Sequence, residues 1–304
     1  MKQGTAKGKL FIVAGVVILL ALFVNERGFA KNIFLWNTKP VHIERSVKAA
    51  DIRNLLVETG SADVNVISGN SENIEVRLDG NVKKETADHV QIIVEPQSDT
   101  LKLKVENPDG FQLGINFSEL KLTVELPKNL WETVKVHTGS GNVDLEELKG
   151  KTVEITAISG DVNVNEIESK QITLQANSGN IVTKDFISEH LMFQTGSGNV
   201  NLSNGQSSIK GETKSGNIQV KVKDLVQNMD LQASSGDVNV YLEKEPKSLM
   251  VQFNGGSGSG EIDWDGMTNK ERGKDDHKLK GVFGSGETNL NVRTGSGNFL
   301  LGQD

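Results

Sequence analysis

Residues 138–145, 157–164, 176–183 and 195–202 read TGSGNVDL, AISGDVNV, ANSGNIVT and TGSGNVNL, and this pattern decides the fold. It returns as TKSGNIQV from Thr213, ASSGDVNV from Ala233 and, with one Ser-Gly doubled, GSGSGEID from Gly256. GSGETNL from Gly284 and TGSGNFLL from Thr294 complete the series. With the last glycine of each Ser-Gly step as origin, the copies sit at Gly141, Gly160, Gly179, Gly198, Gly216, Gly236, Gly260, Gly286 and Gly297. Their spacings are 19, 19, 19, 18 and 20, then 24, 26 and 11.

Seven residues before each origin stand Val134, Val153, Ile172, Leu191, Ile209, Met229, Phe253, Leu279 and Leu290, apolar every time. Two residues after it stand Val143, Val162, Ile181, Val200, Ile218, Val238, Ile262, Thr288 and Phe299. Alternation on both sides of a glycine step is the period-two signature of half-buried strands. A unit of this length is too short for a helical crossover. Two arrangements fit: an all-β solenoid in which each copy stacks on the next, or an antiparallel sandwich with hairpin turns at Ser-Gly. Regular spacing and like residues at like positions favour the β-helix-like solenoid of about 19-residue repeats, because one unit cannot bury its own apolar side. Eight intervals at strand spacing predict a stack of about 38 Å. Phe186, Phe193 and Tyr241 are the only aromatics between His137 and Glu245, so its interior should be slim.

A weaker copy lies upstream. With Ala62 as origin, Leu55, Val57, Val64 and Val66 take the same positions. Longer alternating runs follow at 74–78, 90–94, 101–105 and 120–126, bounded by Pro96, Pro108 and Pro127. Residues 41–132 are therefore expected to form a broader N-terminal β region covering the first edge of a stack at 133–304.

Leu10 to Val24 is uncharged and apolar or glycine throughout, preceded by Lys2, Lys7 and Lys9. As a helix it would span about 22 Å, short of the roughly 30 Å hydrocarbon core, a deficit that snorkelling by Lys9 and Arg27 could cover. The expected topology is a cytoplasmic N-terminus at 1–9, a transmembrane helix at 10–25, a stalk at 26–40 and an exported body. A cleaved signal peptide is the rival reading, although Gly28-Phe29-Ala30 is a poor cleavage site.

The net charge is −7, yet residues 1–31 hold five Lys/Arg and one acid, which leaves 28 basic and 39 acidic residues, a net of −11, in the rest. That exterior disfavours a nucleic-acid partner. Cysteine is absent, so there is no disulfide and no thiolate metal site. The 32 glycines lack a three-residue period, which excludes collagen.

No catalytic constellation emerges. The Gly-Ser-Gly-Asn steps lack the lysine-serine pair of a phosphate-binding loop. The histidines, at 42, 89, 137, 190 and 277, form no HExxH motif or close pair. One row deserves weighing: Asn142, Asp161, Asn180, Asn199, Asn217, Asp237, Glu261, Glu287 and Asn298, which stacking would align. Five of these nine are neutral amides, which favours hydrogen bonding over a calcium ladder. Aromatic platforms for glycan are sparse, with Trp131 and Trp264 at opposite ends of the repeats. Asp265 to Lys280 is a charged insertion, read as a solvated loop or hairpin tip, with a partner-binding loop as the sharper alternative.

The SGNV and SGDV steps flanked by VEITA, ITLQA, MDLQA and VNV resemble the bacterial putative-adhesin β-strand-repeat family, over roughly residues 50–302. The lysine-flanked N-terminal stretch before that domain is similar to membrane-anchored members tied to the cell-envelope stress response of Bacillus-type bacteria. The resemblance implies an outward-facing, membrane-tethered β-solenoid-like domain and transfers no catalytic residue. The expectation is a non-enzymatic structural or protein-interaction module without catalytic, cofactor-binding or metal residues. Its partners would be the membrane, through the helix, and an envelope protein or cell-wall component, with no nucleic acid or small-molecule substrate. A binding module for a wall polymer or an envelope-active peptide is the alternative.

Overall fold

The computed structural model describes residues 38–107, 119–273 and 277–304. The expected membrane helix at 10–25 lies outside the described residues, as do residues 1–9 and nearly all of the expected stalk. Among the described residues no helix is long and apolar enough to cross a membrane.

Apart from one 3-10 turn at Ala87–His89, the regular structure of the described residues is all strand. First come β1 (Thr38–Lys48), β2 (Asn54–Thr59), β3 (Asp63–Gly69), β4 (Asn73–Lys83), β5 (Gln91–Gln97), β6 (Thr100–Glu106) and β7 (Glu119–Pro127). The regular repeats supply β8 (Trp131–Thr138), β9 (Val143–Ala157), β10 (Val162–Ser178), β11 (Ile181–Ser197), β12 (Val200–Ser203), β13 (Gln206–Ser215), β14 (Ile218–Val222), β15 (Met229–Ser235) and β16 (Val238–Leu242). Then follow β17 (Leu249–Gly255), β18 (Gly260–Ile262), β19 (Asn269–Arg272), β20 (Lys278–Phe283), β21 (Thr288–Ser296) and β22 (Phe299–Gln303).

The repeats form a flat β-solenoid-like stack. Each coil crosses one face, turns at its Ser-Gly corner, crosses the other face and turns again at a second corner. On the first face Val134, Val153, Ile172, Leu191, Ile209 and Met229 pair in one parallel register. All six are buried. Val143, Val162, Ile181, Val200, Ile218 and Val238 do the same on the second face. Parallel, in-register pairing excludes hairpin turns at these Ser-Gly steps, so the sandwich alternative falls. The slim interior is filled by size compensation. A Cβ on Gly205 would lie 2.0 Å from the Phe186 ring, and one on Gly211 would lie 2.3 Å from the Phe193 ring. Each large ring therefore occupies space that the next coil vacates.

The order of coils in space departs from their order in sequence at both ends. The Ala62 coil pairs directly with the Gly141 coil, Leu55 opposite Val134 and Val64 opposite Val143, across the intervening β4 to β7. Strands β6 and β7 then add to its other side in parallel. Antiparallel β5 closes the first face there, and antiparallel β4 and β1 close the second. At the far end the Gly297 coil slots between two earlier ones. Leu290 pairs with Met229 on one side and with Val251 on the other.

Two expectations about the late copies are corrected by this register. Val251, not Phe253, holds the position of Leu290, so the corner glycine of that coil is Gly258, not Gly260. The Gly286 copy is no coil at all. Its strand β20 runs antiparallel to β17, placing Leu279 opposite Phe253. Gly284 and Gly286, with φ of 54° and 69°, turn the chain between β20 and β21, which flank β17.

Candidate functional site

At the Ser-Gly corner the glycine is required by the approach of two backbones. A Cβ on Gly160 would lie 2.1 Å from the Gly141 carbonyl oxygen, and one on Gly179 2.1 Å from that of Gly160. Gly141, Gly198, Gly216, Gly236, Gly297 and Gly258 meet the neighbouring coil's carbonyl oxygen at 2.0 Å in the same way. Only Gly216 and Gly236 of this row combine the contact with a positive φ. Close stacking is therefore the common cause, and turn conformation a secondary one.

The Asn/Asp row next to these glycines works as a hydrogen-bond ladder. The side-chain oxygens of Asn142, Asp161, Asn180, Asn199, Asn217 and Asp237 each accept the backbone N–H of the row's next member, at 2.7 to 2.9 Å. Asp63 extends the row below Asn142, and Ser259 ends it by donating its backbone N–H to Asn298. Glu261 and Glu287 lie outside the row, because their glycines are not corner glycines. The ladder oxygens are engaged in closing the corner, which is a structural role.

The described residues of the insertion at 265–280 form a hairpin, one of the two expected forms, and not a free loop. Its β19 and β20 form an antiparallel hairpin that joins β17 and ends the first face. Leu279 and Phe283 are buried, while Met267 and half-buried Trp264 pack on the core. The Trp264 indole donates to the Gly302 carbonyl at 3.1 Å, and the His277 ring lies 2.7 Å from the Gly258 carbonyl. Outside this hairpin lies a groove of about 770 Å³, whose polar lining includes Gln252, Asn254, Glu271, Lys278, Lys280 and Arg293. Arg293 is held at 2.8 Å by Asp230. Lys278 and Lys280 form no ion pair among the described residues. This acidic chain thus turns a cationic groove outward, one suited to a partner's carboxylates or other anions.

Neither of the two described tryptophans offers a platform. Trp131 is 2% exposed, its indole donating to the Pro127 carbonyl at 3.3 Å. His42 lies 2.6 Å from Asp79, far from the hairpin, on the opposite end strands β1 and β4. That hydrogen bond raises the His42 pKa above the ordinary imidazole value and lowers that of Asp79. Among the described residues no three His, Cys, Asp or Glu side chains gather as a metal site.

The second corner carries a feature that the sequence reading missed. Glu147, Glu166, Asp185 and Asn204, each six residues after its corner glycine, hold left-handed backbone with φ of 52°, 55°, 51° and 54°. Asn and Asp tolerate this conformation best after Gly, so Asp185 and Asn204 fit it and the two glutamates do not. A nineteen-residue recurrence of Asp, Glu or Asn at that offset was the signal available.

The family model for Toastrack DUF4097 matches residues 52–301. The chain is similar to the crystal structure of a "putative adhesin" from Parabacteroides merdae, at 16% identity over 86% of this chain and 95% of that one, with a TM-score of 0.41. A "putative lipid binding protein" from Parabacteroides distasonis is similar at 15% identity, 85% and 96% coverage and a TM-score of 0.44. A "putative cell adhesion protein" from Clostridium sporogenes is similar at 16% identity, 88% and 100% coverage and a TM-score of 0.34. No curated protein matches the chain.

Proposed function

The chain belongs to the Toastrack DUF4097 family, and on that premise we propose that it is a non-enzymatic, extracytoplasmic protein-interaction module tethered to the cell membrane. The single observation that carries the interaction reading is the cationic groove beside the C-terminal hairpin. There Lys278 and Lys280 lack intramolecular ion partners among the described residues and face outward from an acidic body. A groove of this charge favours an acidic protein surface in the envelope. The tether is the helix expected at 10–25, and the lysines before it favour a cytoplasmic 1–9 and an exported body. The finer LiaG-like reading, a part in the cell-envelope stress response, rests on the same arrangement of basic flank, apolar stretch and repeat domain.

Crosslinking of the native membrane-bound protein, with identification of captured neighbours, tests the proposal. Lys278→Glu with Lys280→Glu reverses the groove's charge on two exposed side chains and leaves buried Leu279 in place. The double variant should be exported and folded as before but lose the captured partner. Undiminished capture would remove the groove from the account.

A further inference from the structure

The second corner of the stack presents two grooves of opposite charge on either side of one exposed leucine. The first, of about 480 Å³, has Glu147, Glu166, Glu168 and Asp185 around Leu130 and Ile187. Leu130 is 65% exposed and Ile187 54%. They share one row across the corner, because Trp131 pairs with Gly150, Lys149 with Glu168 and Glu168 with Ile187. That places them three strand spacings apart, about 14 Å. Between them Lys149 and Glu168 neutralise each other at 2.5 Å. Glu147 and Glu166 have no ion pair among the described residues, and Asp185 only a 4.0 Å approach from Lys184. The second groove, of about 770 Å³, lies beyond Leu130 and carries Lys48, Arg53 and Lys128 against one acid, Glu72. None of its three cations has an ion pair among the described residues. Lys128, Asn129 and Leu130 form the ridge common to both grooves.

We propose that this edge joins two copies of the chain about a two-fold axis near Leu130, the acidic groove of each copy receiving the cationic groove of the other. A two-fold interface must be self-complementary, since one patch serves both sides. Opposite charges flanking a shared apolar ridge meet that condition. The rotation that sets Lys48, Arg53 and Lys128 of one copy against Glu147, Glu166 and Asp185 of the other also exchanges them in return. Leu130 of each copy then meets Leu130 of its partner across the axis, which removes the most exposed large apolar side chain of this edge from water. A basic peptide would satisfy only the acidic half and leave the three cations unpaired, so the second copy is the better occupant. Glu147, Glu166 and Asp185 are stacked one strand apart, the two glutamates in a backbone conformation that favours Gly, Asn or Asp, an arrangement that costs fold stability. An interface in which they meet cations gives those carboxylates a use.

The chain has no cysteine, which makes single-cysteine reporters clean. The purified full-length Leu130→Cys variant, in detergent under mild oxidation, should yield a disulfide-linked homodimer. Ile158→Cys, exposed at the opposite corner, is the control and should yield none. Light scattering of the cysteine-free protein should give the mass of a dimer. Lys128→Glu and Glu166→Lys should each weaken it about tenfold, and a mixture of the two variants should recover affinity. Glu166→Asn should weaken the dimer while raising the thermal midpoint, a combination that a purely structural glutamate would not give. A monomer at about 100 μM, crosslinking equal to the Ile158 control, or binding of a basic peptide without any dimer would each overturn the proposal.

Discussion

The Asn142 side-chain oxygen accepts the backbone N–H of Asp161 at 2.9 Å, nineteen residues on and one coil along. Asp161 repeats the bond to Asn180 at 2.8 Å, and Asn180 to Asn199 at 2.9 Å. Each side chain thus satisfies a backbone donor that the tight Ser-Gly turn would otherwise leave without a protein partner. Asn180→Ala removes the acceptor for Asn199 and also the donor that reaches Asp161 at 3.2 Å. It should lower stability by about 1 kcal/mol, read as a shift of the urea midpoint with unchanged slope.

The corner glycines separate close approach from turn conformation. Gly179→Ala directs a methyl at the Gly160 carbonyl oxygen, 2.1 Å away. Backbone in a parallel stack cannot yield without shifting the ladder, so the substitution should cost about 3 kcal/mol. Gly60→Ala meets nothing within 4 Å and has no positive φ, so it should be neutral or stabilise by up to about 1 kcal/mol. Equal effects in thermal melts of the two variants would refute the contact explanation.

Thr183 is the one described buried side chain whose polar atom lacks a hydrogen-bond partner. It lies in the inward row with Val164 and Leu202, fully buried. Replacing its hydroxyl with a methyl keeps the shape and removes an unmet desolvation cost. Thr183→Val should therefore raise stability by about 1–2 kcal/mol, visible as a higher thermal midpoint.

His42 should titrate above the ordinary imidazole value near 6.5, chiefly because Asp79 accepts its hydrogen bond. A folded-state pKa above the unfolded one means that the pair's contribution is fully present below the unfolded pKa. It is lost as pH rises through the folded value. Both side chains are exposed, so the effect on global stability is small. An NMR titration should place the His42 ring above 6.5, and Asp79→Asn should bring it down toward that value. An unchanged midpoint in the variant would exclude Asp79 as the cause.

The hairpin at 269–283 shows how a local pattern can mislead. GSGETNL carries the glycine, the acid and the flanking alternation of a coil, yet Leu279 faces Phe253 across an antiparallel pair. Alternation reports that one side of a strand is buried and is indifferent to the direction of its neighbour. The doubled Ser-Gly at 256–260 misled in a similar way: either glycine satisfied the pattern, and only the backbone contact with Gly297 selects Gly258. The cationic groove and the charged edge were less visible still. Their residues come from segments far apart in the chain, such as Arg53 with Lys128 and Gln252 with Arg293.

From the amino-acid order alone came the β class, the nineteen-residue coil, the inward residues of each strand and the polar row at the Ser-Gly corner. All of these follow from side-chain period and from the contact each repeat needs with a like one. Even the coil at Ala62 could be placed at its correct internal register, Leu55 matching Val134. Which coil lies beside which was decided by the tertiary structure. Most interior positions carry Val, Ile or Leu, so Leu290 can stack on Met229 as readily as on a strand nearer in sequence. The choice rests on closing long connections and capping both ends with antiparallel strands, and those are properties of the whole stack.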